Sequence, residues 1–211
     1  MTIVRPLTRG LAVALAGALA AGCISLLPKQ KPAQLYRFGV SAPPAAQAAP
    51  AAARFSVQAV PAGFERAAAG DAILTMTGDE AAYIAGSRWV TSASSLFDAA
   101  VTGAFDAAGG AARLIPRGEA VRSDYSLKLD VRAFEARYDH GTSAPPTVVV
   151  ELYAGLVKRS TDTLPAEPAE RIFQARVTAS ENRAGAIAQA FDSAVAKVLG
   201  DMVAWVDAKG A

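Results

Sequence analysis

The stretch DYSLKLDVRAF, residues 124–134, constrains the fold of this chain more than any other. A β-strand points successive side chains to opposite faces, so the alternation here predicts a strand with one apolar and one polar face. Such strands belong to antiparallel sheets that are covered on one side only. Phe134 breaks the alternation, which predicts a β-bulge or a strand end nearby. The apolar face is predicted to carry Tyr125, Leu127, Leu129, Val131 and Ala133.

The C-terminal segment from about Arg183 to Asp207 supplies a cover for that sheet. Its apolar residues recur at intervals of three and four, the pattern of an amphipathic helix. A shorter stripe of the same kind, from Phe97 to Ala108, predicts a second helix, and Gly109 and Gly110 after it favour a helix end. The C-terminal stripe consists of Ile187, Phe191, Ala194, Val198, Met202 and Trp205.

Shorter alternating or apolar segments predict the remaining strands. Examples are RFSVQAV at residues 54–60, TVVVELYAGLVKRS at 147–160 and ERIFQARVTAS at 170–180. Together the segments predict an α+β fold. It is a single two-layer domain with a mostly antiparallel sheet of about seven strands and two helices packed on one face.

The only cysteine, Cys23, follows a segment typical of a secretory leader. Two arginines precede an apolar run from Leu11 to Ala21, which is shorter than the about 20 residues needed to cross a bilayer. The sequence AAGC at residues 20–23 resembles the bacterial lipobox, in which the leader is removed and the cysteine thiol is acylated. Residues 1–22 are therefore predicted to be a signal peptide. An ordinary secreted protein with a free thiol is the alternative.

The residues after Cys23 predict a tether, a loop and one domain. Residues 23–32 are predicted to be the lipidated tether, and 33–211 the α+β domain. The Pro/Ala-rich stretch at 41–53 is predicted to be an exposed loop within that domain. The leader carries two of the 21 basic residues and none of the 19 acidic ones, so the processed chain is formally neutral. No lysine-arginine cluster that could hold a nucleic-acid backbone remains, so neither a nucleic-acid partner nor a purely electrostatic membrane anchor is expected.

Residues that could support catalysis are scarce in this sequence. The single histidine, His140, lies in the turn sequence YDHGTS, where adjacent residues rarely aim at one another. One histidine and one cysteine are too few for a zinc site. No phosphate-binding glycine loop and no G-x-S-x-G motif occurs. We therefore expect no enzyme activity, no metal and no cofactor.

A cluster of aromatic and arginine residues lies just before the first predicted long helix. Tyr83, Arg88 and Trp89 are residue types enriched in protein interfaces, which makes them a candidate partner-binding site. The alternative for Trp89 is a core position beneath the helix.

The order of these features resembles the ABC-type transport auxiliary lipoprotein family (PqiC-like). The resemblance spans nearly the whole processed chain. It depends on QLYRF at residues 34–38, on AAYIAGSRWVTSASSLFDAAVTGAF at 81–105 and on DYSLKLDVRAFEA at 124–136. Within these, the matching positions are Tyr83, Arg88 and Trp89, followed by Asp124, Tyr125 and Leu127.

The resemblance implies a non-enzymatic lipoprotein of an envelope lipid transport system. Family members accompany an ABC permease, an ATPase and a membrane-tethered protein with mammalian-cell-entry (MCE) domains. The lipoprotein docks that apparatus at the outer membrane and faces the periplasm, and homo-oligomers are compatible with the family. Ile24 after the cysteine, in place of an aspartate, agrees with the outer membrane. An exposed sheet edge would be the natural partner surface.

Two other functions remain open from the residues alone. A structural or assembly lipoprotein of the outer membrane, for lipopolysaccharide or barrel-protein insertion, would share the anchor and the small domain. A periplasmic hydrolase would need a polar cleft that brings His140 to a nucleophile.

Overall fold

A computed structural model describes residues 32–40, 55–116, 118–119, 122–159 and 167–210 of the chain. The predicted signal peptide, the Cys23 anchor and the 41–53 loop lie outside the described residues. The part of the chain from Ala33 onward forms one compact unit.

The described residues of this unit form nine strands and three helices, and the prediction of an α+β fold is confirmed. The helices are α1 (Arg66–Ala69), α2 (Ala93–Ala108) and α3 (Ala184–Gly210). The strands are β1 (Gln34–Tyr36), β2 (Phe55–Ala59), β3 (Gly63–Phe64), β4 (Ala72–Thr77), β5 (Glu80–Trp89), β6 (Ala112–Leu114), β7 (Tyr125–Arg137), β8 (Thr147–Lys158) and β9 (Ala169–Thr178).

Strand β7 organises the sheet. One of its edges pairs antiparallel with β8, which pairs antiparallel with β9. The other edge pairs in parallel with three short strands placed one after another, β2, β3 and β4. The sheet then continues from β4 to β5 and ends at β1, so β1 and β9 lie at opposite edges. The longest strand pairings are antiparallel, and the short parallel pairings make the sheet mixed.

A β-bulge in β7 explains the break in its alternation. Val131 pairs with Leu152 of β8 and Ala133 with the next residue, Glu151, so Arg132 is an extra residue. The bulge returns Phe134 to the buried face, where it is 3% exposed. The predicted bulge is confirmed, whereas the placement of Ala133 on the apolar face is wrong, because the extra residue shifts it to the polar face.

The helices cover the apolar face of the sheet. Helix α3 packs on β8 and β9, and α2 lies against α3. The N-cap of α2 is Ser92, whose hydroxyl accepts a hydrogen bond from the Ser95 amide at 3.2 Å. Its C-cap is Gly109, whose φ of 56° is left-handed, a conformation that glycine adopts without strain. All six residues of the predicted C-terminal stripe are buried.

Candidate docking surfaces

Trp89 is part of the core and is only 2% exposed. Its ring packs edge-on against Phe38 and Phe191, with centroids 5.0 and 5.3 Å apart. Phe134 joins the same cluster, so rings from β5, β7, α3 and the segment after β1 meet beneath the helices. The prediction of Trp89 as an interface residue is therefore corrected, because the helices bury its ring.

Arg88 and Tyr83 remain at the surface, but each is held by a neighbour. A guanidinium nitrogen of Arg88 lies 2.8 Å from Asp71, which precedes β4. Tyr83 is 53% exposed, and its hydroxyl donates to the Ala67 carbonyl oxygen at 3.1 Å. An irregular register of β5 against β4 pairs Arg88 with Ala72 and Tyr83 with Leu74. The structure thus does not unite the three predicted residues into one exposed site.

The Asp124 carboxylate connects β2 to the start of β7. It accepts hydrogen bonds from the amide and the hydroxyl of Ser56, both at 2.7 Å. Both bonds lower the pKa of Asp124 below its ordinary value, and the bond from the Ser56 hydroxyl has the larger effect. The next residue, Tyr125, stacks edge-on with Phe55 at 5.3 Å. Both residues therefore have structural roles.

The second face of β7, β8 and β9 carries mostly polar side chains, which are exposed along β9 and buried or half-buried along β8. The Arg132 guanidinium lies 4.6 Å from the centre of the Tyr153 ring, a cation–π contact. A hydrogen bond with Glu170 raises the pKa of the Tyr153 hydroxyl. Gln174 donates to Glu151 at 3.0 Å. These contacts between neighbouring strands hold the side chains of this face in defined positions.

Ile172 interrupts that polar surface. It lies on β9 at a position where the alternation places polar residues, and it is 51% exposed. Ile172 was missed in the sequence prediction, which named only the inward residues of this strand. The signal that could have found it is one isoleucine on the face shared with Glu170 and Gln174.

Strand β9 is also the long free edge of the sheet. Its ten residues pair with β8 on one side only, within the part of the chain that the structure describes. An unpaired edge leaves amide and carbonyl groups ready to bind another extended segment. No proline interrupts Ala169–Thr178. The edge and the exposed Ile172 together form a surface suited to strand addition, which we call the β9 surface.

Two clefts of the described domain are small. One of about 130 Å³ lies between α2 and the ends of β2 and β6, with Asp98 and Asp106 among its lining residues. Another, of about 150 Å³, lies at the C-terminal end of α2. Sites that bury a drug-sized ligand measure about 300–1,000 Å³, so neither cleft would enclose a lipid molecule.

Residues 139–143 form no catalytic arrangement in the structure. Asp139 is bonded to Arg176 at 3.2 Å, and His140 and Ser143 are exposed. Over the described ranges, no group of three or more histidine, cysteine or acidic residues could hold a metal ion. No helix of the described residues is long and apolar enough to cross a membrane.

Comparison with known proteins identifies the family of this chain. The model of the ABC-type transport auxiliary lipoprotein component matches residues 36–203, which span every element from the end of β1 into α3. The chain belongs to this family. No curated protein matches the chain.

Solved structures share the fold of this family member. A protein of Xanthomonas campestris, described as a DUF330 member, aligns with a TM-score of 0.70 and 26% identity. The alignment covers 84% of this chain and 97% of that one. An uncharacterized protein shares the fold at a TM-score of 0.61 and 11% identity, covering 86% of this chain and all of the other.

Proposed function

We propose that this family member is a non-enzymatic component of an ABC-type envelope lipid transport system whose tethered subunit carries MCE domains. Acylation of Cys23 anchors the protein at the outer membrane, on the periplasmic side, and the α+β domain docks the apparatus there. The observation that carries the proposal is the family match over residues 36–203. Neither of the two clefts described above would enclose a lipid molecule, which agrees with a docking domain.

The β9 surface is our proposed docking site for the MCE-domain protein. Free strand edges bind extended segments through main-chain hydrogen bonds, and side-chain contacts on alternate residues add specificity. Ile172 supplies an apolar contact at the centre of this edge. The charged side chains around it, such as Arg176 and Glu170, keep the edge soluble when unoccupied.

Tyr83 and Arg88 form a second, smaller candidate contact. Both are exposed on β5, but they hydrogen-bond to Ala67 and Asp71 within the domain. A partner would need to displace or extend those bonds. We therefore rank this contact below the β9 surface.

Affinity capture from crosslinked envelopes tests the proposed function. The lipidated full-length protein is crosslinked in intact cells and purified, and its partners are identified by mass spectrometry. We expect an MCE-domain protein together with its permease and ATPase. Recovery of barrel-assembly or lipopolysaccharide-export components alone would instead favour the assembly function.

A matched pair of variants tests the docking site in the same capture. Ile172→Lys places a charge at the centre of the β9 surface and should lower recovery of the MCE-domain protein. Val60→Lys is the control, since Val60 is 52% exposed and follows β2, away from β9. Equal recovery with both variants would contradict docking at β9.

A further inference from the structure

We infer that the β1 edge of the domain rests on the phospholipid surface to which Cys23 is anchored. Leu35, Val40 and Val90 would enter the interfacial region, and Arg37 and Arg88 would meet the headgroup phosphates. The inference depends on the proposed function, because acylated Cys23 supplies the nearby membrane. We call these five residues the β1 surface.

Backbone pairing brings four of these residues together. Strands β1 and β5 are parallel, and their register places Leu35 beside Arg88. The Val90 amide donates to the Tyr36 carbonyl oxygen at 2.8 Å, which continues this alignment past the end of β5. Because side chains alternate along a strand, Leu35 and Arg88 point away from the buried Trp89. The alignment thus brings Arg37 and Val90 next to them.

The chain after β1 holds Val40 in a fixed position. The amides of Gly39 and Val40 donate to the Asp192 carboxylate on α3, at 2.6 and 3.2 Å. Gly39 has a φ of 74°, and a Cβ there would lie 2.5 Å from the Ala100 Cβ, so only glycine fits against α2. Val40 is therefore displayed by a rigid connection.

The apolar side chains of the β1 surface are unusually exposed. Leu35, Val40 and Val90 expose between 48% and 61% of their surface. Exposure of three aliphatic side chains at one edge of a sheet is unfavourable in water. Their burial in a phospholipid interface would be favourable. Aliphatic side chains flanked by arginines are typical of surfaces that bind a phospholipid interface.

The charge of the surface selects an anionic bilayer. Arg37 is exposed and has no ion-pair partner among the residues that the structure describes. Lys29 and Lys31 precede β1 in the tether sequence. Arg88 is paired with Asp71 but remains half-exposed, so its remaining donors can reach a phosphate. Clusters of basic residues beside a membrane anchor attract anionic headgroups.

The tether limits how far this edge can lie from the membrane. Residues 24–32 can span at most roughly 30 Å, and the chain enters the sheet at Gln34 in β1. The opposite edge, β9, is five strands away in the sheet order, or roughly 24 Å at about 4.8 Å per strand. The covalent attachment therefore favours contact of the β1 edge, and leaves the β9 surface for a protein partner.

Lipid quenching of single fluorescent probes tests the inference. Acylation occupies the Cys23 thiol, so the variants Leu35→Cys, Val90→Cys and Ile172→Cys each carry one thiol for an environment-sensitive dye. The lipidated full-length proteins are reconstituted in vesicles of phosphatidylethanolamine and phosphatidylglycerol that contain spin-labelled phospholipid. Quenching at residues 35 and 90 should exceed that at residue 172 about threefold, because the two positions enter the interface.

Vesicle flotation separates the two ways in which the test can fail. If the proteins float with the vesicles but quenching is equal at residues 35, 90 and 172, the membrane-facing surface is wrong and the anchor stands. If they do not float, the anchor and this inference both fail. An Arg37→Glu variant should reduce quenching at residue 90 in these vesicles but not in vesicles of phosphatidylcholine alone. An unchanged signal with Arg37→Glu would overturn the role assigned to the charge.

Discussion

Single residues in the segments that carry the family resemblance hold neighbouring elements together. Trp89 contacts rings from the sheet and from α3, and Asp124 joins β2 to β7. Both residues belong to segments through which the family resemblance is visible in the sequence. At this scale the pattern therefore identifies the fold more directly than it identifies a binding site.

Trp89→Ala should destabilise the domain strongly. The substitution leaves a cavity among Phe38, Phe134 and Phe191, which should lower the free energy of unfolding by about 3–5 kcal/mol. Chemical denaturation followed by circular dichroism measures the change. Val90→Ala is the adjacent control and should stay within about 0.5 kcal/mol, because Val90 is exposed. Similar losses for both variants would contradict the core position of Trp89.

Asp124 should make stability fall in acid. Its pKa is lowered in the folded state by the Ser56 hydroxyl and amide, so the ionised form is favoured by folding. This contribution is fully present above the unfolded-state pKa of about 4. It is lost as the pH falls through the lower folded-state pKa.

The isosteric variant Asp124→Asn isolates this effect. It cannot ionise, so its free energy of unfolding should change less between pH 5 and pH 3 than that of the unmodified protein. Urea denaturation at a series of pH values gives both curves. Parallel curves would mean that Asp124 does not contribute to the acid sensitivity.

Whole elements could be predicted where the sequence repeats a clear period. The alternation in β7 and the stripe of α3 predicted a strand and a helix, and the structure confirms both. An element with one buried face carries apolar residues at a regular interval in the sequence. The parallel pairings of β2, β3 and β4 with β7 could not be predicted, since strands of two to six residues carry no sign of their neighbour. The free edge at β9 follows only from the complete strand order.

Deletions in β7 distinguish the bulge from the regular strand. Removal of Arg132 leaves Val131, Ala133 and Phe134 in unbroken alternation, so the apolar residues keep their face. Removal of Lys128 forces Leu127 and Leu129 onto opposite faces. The Arg132 deletion should therefore unfold cooperatively with a smaller loss of melting temperature than the Lys128 deletion, as thermal circular dichroism would show.

Equal losses for the two deletions would contradict the assigned bulge. Arg132→Ala serves as a control for side-chain effects, since it removes the contacts with Tyr153 and Asp130 but keeps the number of residues in the strand. That exposed cation–π contact contributes about 0.5–1 kcal/mol.

At the scale of the molecule, the sheet separates two surfaces. The β1 edge lies next to the tether in the chain and carries aliphatic residues and arginines, whereas β9 ends the opposite side. With the proposed anchor at the β1 edge, the β9 edge would face the periplasm. This arrangement would suit the docking function that we propose.

Cys23→Ser should prevent lipidation and processing of the chain. The serine hydroxyl cannot replace the thiol that receives the lipid, so the variant should keep residues 1–22 and carry no acyl chain. Intact-mass spectrometry of the purified protein reads both properties at once. Normal cleavage before residue 23 and normal recovery with outer membranes would contradict the proposed anchor.

Site-specific photo-crosslinking at residue 172 tests the central claim most directly. A photoreactive amino acid is placed at residue 172 or at the control position 60 of the lipidated full-length protein, and intact cells are irradiated before mass spectrometry. We predict an adduct with an MCE-domain protein from residue 172 and none from residue 60. Adducts from residue 172 with barrel-assembly or lipopolysaccharide-export proteins instead would contradict the account.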